Sequence, residues 1–301
     1  MLEKIIAFFM AIIAFFANLF GISIPGVTEP ADSGSYIYTD AAYGDEERQI
    51  LDLYIPKESD GTIGLVLMIH GGAWIAGDKN AYGADVLRYV SEDVGLAAAA
   101  INYRYLSETV NLHDIIDDID LALQFIKEKG EENGVTIDKA MLTGTSAGAH
   151  LSLLYAYSMK DTAPITPACV VSYCGPTDLA DINFYYGNNM GDTDYVCLLM
   201  SYACGKYFTI DTKDEAAAEL ASVSPITYVD ENTVPTVIAH GTKDVTVPFS
   251  NAEALDAKLT EYGVTHDFVV YPNSDHSLAN DPDCSEQVNS LMFDYAIAYL
   301  Q

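Results

Sequence analysis

Short unbroken apolar runs alternate with longer amphipathic stretches along most of this chain. Leu65-Val66-Leu67-Met68-Ile69 has no polar break, which is the pattern of a parallel strand covered on both faces. Similar runs predict strands over Leu51–Ile55, Gly64–His70, Leu96–Asn102, Ala140–Thr143, Ala168–Cys174, Val234–His240 and Asp267–Tyr271. Between them, apolar spacing of three and four predicts helices over Tyr82–Glu92, His113–Lys129, Ala147–Met159, Asn251–Tyr262 and Ser285–Leu300. In the second of these, Ile115, Ile116, Ile119, Ala122 and Leu123 share a face. The acids Asp114, Asp117, Asp118 and Asp120 then read as a solvated surface rather than a metal site. Strand–helix alternation predicts the α/β class, a mostly parallel central sheet with helices on both faces. Residues 31–301 form one domain on this reading. Residues 180–217 break the alternation with Phe184, Tyr185, Tyr186, Met190, Tyr195, Met200, Tyr207 and Phe208. They predict a small cap insertion, mostly its own core, that contributes a wall to a substrate pocket.

The first 30 residues differ from the rest. Ile5 to Ile24 carry no charge, and Ile5-Ile6-Ala7-Phe8-Phe9 recurs as Ile12-Ile13-Ala14-Phe15-Phe16. The length suits a membrane span, and the small residues Ala7, Ala11 and Ala14 share one helix face. Residues 1–30 therefore read as a targeting or anchor segment with a tether, with possible membrane contact through residues 5–24. That predicts a secreted or membrane-anchored protein. The competing reading is a helix packed on the domain, which would leave the protein cytoplasmic.

Forty-four acids against fourteen bases give a net charge of −30, which argues against a nucleic-acid partner. Five cysteines, Cys169, Cys174, Cys197, Cys204 and Cys284, show no Cys-x-x-Cys spacing, and an odd count forbids full pairing. Neither a metal nor a cofactor is implied.

Chemistry enters with Gly144-Thr145-Ser146-Ala147-Gly148, set between the predicted strand ending at Thr143 and the helix from Ala147. A Gly-x-Ser-x-Gly turn between strand and helix exposes the serine hydroxyl on a strained backbone, with small residues required on either side. A serine needs a base. Of six histidines, His276 lies in the polar loop Tyr271-Pro272-Asn273-Ser274-Asp275-His276-Ser277, after a strand. His240 ends a strand and packs or hydrogen-bonds locally, His266 opens one at the wrong end, and His150 lies one turn beyond Ser146, facing away. The acid that would orient His276 is Asp244, after the strand and glycine turn Val237-Ile238-Ala239-His240-Gly241, with Asp275 ranked well below it. His70-Gly71-Gly72-Ala73-Trp74 closes an earlier strand. Its small residues suit backbone N–H groups aimed at a developing oxyanion. The donors are read as Gly72 and Ala73, joined by Ala147.

With these residues in order, the chain resembles α/β-hydrolase serine esterases, nearest the hormone-sensitive-lipase-like and bacterial acetyl/feruloyl-esterase-like families. The likeness runs from about residue 36 to 301. It also rests on Leu51 to Pro56, Gly77-Asp78-Lys79, Asn102-Tyr103-Arg104 and Pro176-Thr177-Asp178-Leu179. Ala73 and Ala149 depart from it, standing where those families often carry glycine. The resemblance implies an α/β-hydrolase fold with a small cap, and a Ser146–His276–Asp244 triad. It implies hydrolysis of a small-molecule ester with a short acyl group, such as an acetyl or aryl ester of plant-derived carbohydrate. A serine peptidase or amidase would use the same residues. A binding protein on an inactive hydrolase scaffold is the non-enzymatic alternative, although no triad member is missing.

Overall fold

The computed structural model describes residues 33–57, 59, 61–186 and 191–300. Residues 1–30, read above as a targeting or anchor segment, lie outside the described residues. No helix among the described residues is long and apolar enough to cross a membrane.

Eight strands form one sheet: β1 (Ser35–Ala42), β2 (Ile50–Pro56), β3 (Gly61–Ile69), β4 (Ala97–Ile101), β5 (Val135–Thr145), β6 (Thr166–Tyr173), β7 (Thr236–Gly241) and β8 (His266–Tyr271). Their order is β1-β2-β4-β3-β5-β6-β7-β8. β1 and β2 pair antiparallel, as do β2 and β4, while every later pairing is parallel. This is the mostly parallel sheet anticipated from the alternation, in the α/β-hydrolase fold that the resemblance implied. The helices are α1 (Ala84–Arg88), α2 (Leu112–Glu132), α3 (Ala147–Ser158), α4 (Thr193–Cys204), α5 (Ala217–Ser222), α6 (Phe249–Glu261) and α7 (Pro282–Leu300).

The unbroken apolar strands feed two faces at once. Leu65, Leu67 and Ile69 of β3 join the larger core beneath α2, α3 and the residue 180–217 segment. Val66 and Met68 join a second core beneath α1 and α7. Each fully buried Leu, Ile or Val side chain contributes roughly 1.5–3 kcal/mol, so the sheet is held rigidly from both sides.

The structure departs from the sequence reading in several places. β1 was not anticipated, because it is an edge strand with mixed exposure and no clean alternation. Ser35 is buried in β1 and shares a 2.7 Å hydrogen bond with Ser91. The helix expected over 82–92 is split, α1 giving way to a π-helical turn at Tyr89–Val94. The acids of α2 are not all solvated. Asp118 is fully buried, taking hydrogen bonds from Gln49 Nε2 at 2.7 Å and from the Arg104 amide at 2.9 Å, with Arg104 Nη2 at 2.7 Å. It docks the loop after β4 onto α2, a long-range role that helical periodicity cannot reveal. In the 180–217 segment, Tyr185, Met200 and Phe208 are core, whereas Tyr186, Tyr195 and Tyr207 are exposed.

Candidate active site

The carboxyl ends of β3, β5, β6, β7 and β8 surround a cavity of about 770 Å³. Ser146 lies in its wall, on the turn between β5 and α3, at φ +55° and ψ −121°. That region is unfavourable for a side-chain-bearing residue, and the surroundings enforce it. The Ser146 amide donates to Tyr173 O at 2.8 Å, and its carbonyl accepts the His150 amide at 3.0 Å, opening α3. A Cβ at Gly148 would collide with the Ile69 carbonyl, and one at Gly144 would press on the backbone of Gly148. Both glycines are thus required by close approach of β3, β5 and α3.

The turn after β3 is also left-handed, with φ +116° at Gly72, +49° at Ala73 and +61° at Trp74. The amides of Ile75 and Ala76 close it onto Gly72 O. Among the described residues, no hydrogen bond engages the N–H groups of Gly72, Ala73 or Ala147. All three residues line the cavity beside Ser146. Two histidines brace this turn. Buried His70 donates from Nδ1 to Gly71 O at 2.8 Å, stacks on Tyr103 and accepts from Arg48 Nη2 at 3.4 Å. His150 accepts from the Trp74 indole at 3.2 Å and donates to Val223 O at 2.8 Å. Burial pushes both imidazoles down to about 4, so they are neutral braces. Sequence reasoning read His150 as structural, and its contact with Trp74 ties α3 to the glycine-rich turn.

His276 lies on the loop after β8, with its side chain partly exposed and lining the cavity. Asp281 holds that loop, accepting from Ser274 Oγ at 2.6 Å, Asn273 N at 2.9 Å and Asn273 Nδ2 at 2.8 Å. It escaped the sequence reading, although an acid just before Pro282 at a helix start is a recognisable signal. His276 Nδ1 donates to Asp244 Oδ2 at 2.7 Å. Asp244 Oδ1 takes the amides of Thr246 and Val247 at 2.8 and 2.9 Å. Burial alone would raise the Asp244 pKa, but hydrogen bonds from His240 and His276 outweigh it and hold the carboxylate well below its usual range. Asp275 instead bonds the amide and hydroxyl of Ser277. Cys174, His240 and Asp244 present donor atoms within 4.8 Å of one another, a spacing a cation could use. Against that use, His240 Nε2 faces the Val247 carbonyl and so bears a proton, and burial, then the Asp244 charge, push the Cys174 thiol up.

The geometry thus offers a strained, half-buried serine lining the cavity, an imidazole fixed by a buried carboxylate, and a set of unengaged amides around that cavity. Comparisons with known proteins agree with the fold. The BD-FAE family model matches residues 51–259. A probable isoprenylcysteine alpha-carbonyl methylesterase from Oryza sativa is 29% identical over 243 residues, covering 78% of this chain and 56% of that protein. Esterase LipQ of Mycobacterium tuberculosis is 25% identical, covering 92% and 65% respectively. A truncated carbohydrate esterase from gut microbiota superposes with a TM-score of 0.70 at 21% identity, covering 89% of this chain and 99% of that one. The chain spans about half the length of the first curated relatives it matches.

Proposed function

The chain belongs to the BD-FAE family, and from that premise we propose that it is a carboxylic-ester hydrolase working through Ser146, His276 and Asp244. The observation that carries this reading is that His276, fixed by a 2.7 Å bond to buried Asp244, lines the same cavity as the strained Ser146. Because Nδ1 of His276 bears the proton shared with Asp244, Nε2 is the basic nitrogen. It takes the Ser146 proton as Oγ attacks the acyl carbon. The N–H groups of Gly72, Ala73 and Ala147 stabilise the oxyanion of the tetrahedral intermediate. On collapse, His276 returns the proton to the departing alkoxide. Water then enters, loses its proton to His276 and releases the acid, restoring Ser146. Asp244 stays ionised throughout and stabilises the imidazolium.

The substrate class is a small-molecule ester with a short acyl group. Buried Tyr82 and Tyr173 support this, as bulky residues of the cavity lining, with the Tyr82 hydroxyl fixed to Ile69 O at 2.6 Å. Acetyl or aryl esters of carbohydrate fit the same reading. The test is a p-nitrophenyl ester series of rising chain length. The expected kcat/KM peaks between acetyl and butyryl; a peak at decanoate or beyond would overturn the short-chain assignment. Residues 5–24 would set location: fractionation should find the full chain with membranes or outside the cytoplasm, and residues 31–301 soluble.

A further inference from the structure

Asp244 receives a second histidine that the mechanism above does not use. His240 lies near the end of β7, four residues before Asp244, with its side chain 1% exposed. Its Nε2 is 3.0 Å from Val247 O and 3.2 Å from Asp244 Oδ2. A carbonyl and an ionised carboxylate only accept, so Nε2 carries a hydrogen shared between them. The ring is held in place by Phe249, edge-on at 5.9 Å between centroids.

The consequence concerns the direction of one oxygen. A carboxylate on a turn can rotate about its terminal torsion, and its bond to His276 survives only over part of that rotation. The amides of Thr246 and Val247 hold Oδ1 from one side. His240, at the end of β7, holds Oδ2, the same oxygen that accepts from His276. By also bonding Val247 O, it ties the two ends of the 240–247 turn together. The Cys174 thiol lies close by.

We propose that His240 is a positioning residue: its Nε2–H aims Asp244 Oδ2 at His276 Nδ1 and so affects Ser146 chemistry only through Asp244. This rests on the triad reading given above.

A double-mutant cycle separates this role from simple packing. His240→Gln keeps an N–H near the Nε2 position, whereas His240→Asn carries its amide too short to reach Asp244 and His240→Leu has no donor. With a p-nitrophenyl acetate assay, His240→Leu and His240→Asn should lower kcat by about 10- to 100-fold, the size of one hydrogen bond to a charged group. KM should change less than about twofold, and His240→Gln should recover most of kcat. In an Asp244→Ala background, His240→Leu should cost nothing further. Equal losses for Gln and Asn, an unchanged kcat in all three variants, or the same fold-loss from His240→Leu with and without Asp244 would each overturn the proposal. Full activity in Asp244→Ala alone would instead bring down the triad reading beneath it. The Gln and Asn pair keeps the test decisive even if His240→Leu does not fold.

Discussion

Gly61, Gly95, Gly134 and Gly263 lie at the amino ends of β3, β4, β5 and β8, at φ between +66° and +99°, and a Cβ at any of them would meet nothing within 4 Å. At the carboxyl ends the left-handed positions that carry side chains are Ala73, Trp74, Ser146, Cys174 and Leu278, and all five line the cavity, together with the left-handed Gly72 and Gly77. One edge of the sheet turns on glycine in open space. The other turns in a crowded space, on two glycines and five residues with side chains, the latter at a cost of order 1–3 kcal/mol each. Such strain persists only where the surroundings over-determine it, as the Tyr173, Ile69 and His150 contacts do around Ser146. The difference separates an edge that only reverses the chain from one that must present groups at fixed angles.

The sharpest way to probe that contrast is to remove one oxygen from the strained edge. Ser146→Ala should fold and lose kcat by on the order of 10³-fold or more. Circular dichroism and p-nitrophenyl acetate turnover check this together; a folded variant that keeps wild-type turnover would detach the strained edge from catalysis.

Next comes the contrast between two neighbouring acids on that edge. Asp244→Asn should cost on the order of 10²- to 10⁴-fold in kcat, because it disturbs the tautomer of His276 and removes the counter-charge. Asp275→Asn should cost less than about threefold, since Asp275 only bonds Ser277. Ranking the two variants by kcat/KM decides the matter, and the reverse ranking would reassign the acid.

A smaller effect separates the edges by pH. His150 is neutral in the fold because burial lowers its pKa to about 4, against 6.5 in an unfolded chain. The unfolded state then binds more protons between those values. Stability from this site is complete above pH 6.5 and is lost as pH falls towards about 4, by up to about 3 kcal/mol. His150→Gln should flatten the fall of Tm across that window relative to wild type. Identical slopes would mean the Trp74 brace does not govern acid stability.

What the sequence made legible follows the same division. Ser146, Asp244 and His276 could be singled out as candidates because turns and loops at strand ends leave a local signature, and the parallel strands because burial on both faces removes polar alternation. Missed were the contacts that hold the strained edge: His70 under the glycine-rich turn, His240 on Asp244, Asp281 under the His276 loop and Asp118 on Arg104. Each bonds groups brought near by the fold or by a turn's closure, so no periodicity encodes it. Of the aromatics in the 180–217 segment, Phe184, Tyr185 and Phe208 are all core, and Phe184 also lines the cavity, whereas Tyr186, Tyr195 and Tyr207 are exposed, a distinction that composition alone does not make.

The smallest expected effect tests whether every strained residue at the carboxyl edge is needed. Ala73 has φ +49° but contributes only backbone to the proposed oxyanion site. Glycine there relieves a left-handed penalty of roughly 1–2 kcal/mol, offset by about 0.4–1 kcal/mol from the freer unfolded chain. Ala73→Gly should therefore stabilise by about 0.5 kcal/mol and leave kcat within about twofold. Gly134→Ala makes the opposite change at the amino edge, φ +78° with open space around it. It should destabilise by about 1 kcal/mol, again without altering kcat. Denaturant midpoints with unchanged m-values would read both shifts. If Ala73→Gly lowers kcat tenfold while its midpoint rises, the methyl group itself shapes the oxyanion turn. In that case the strain at residue 73 serves catalysis as directly as that at Ser146.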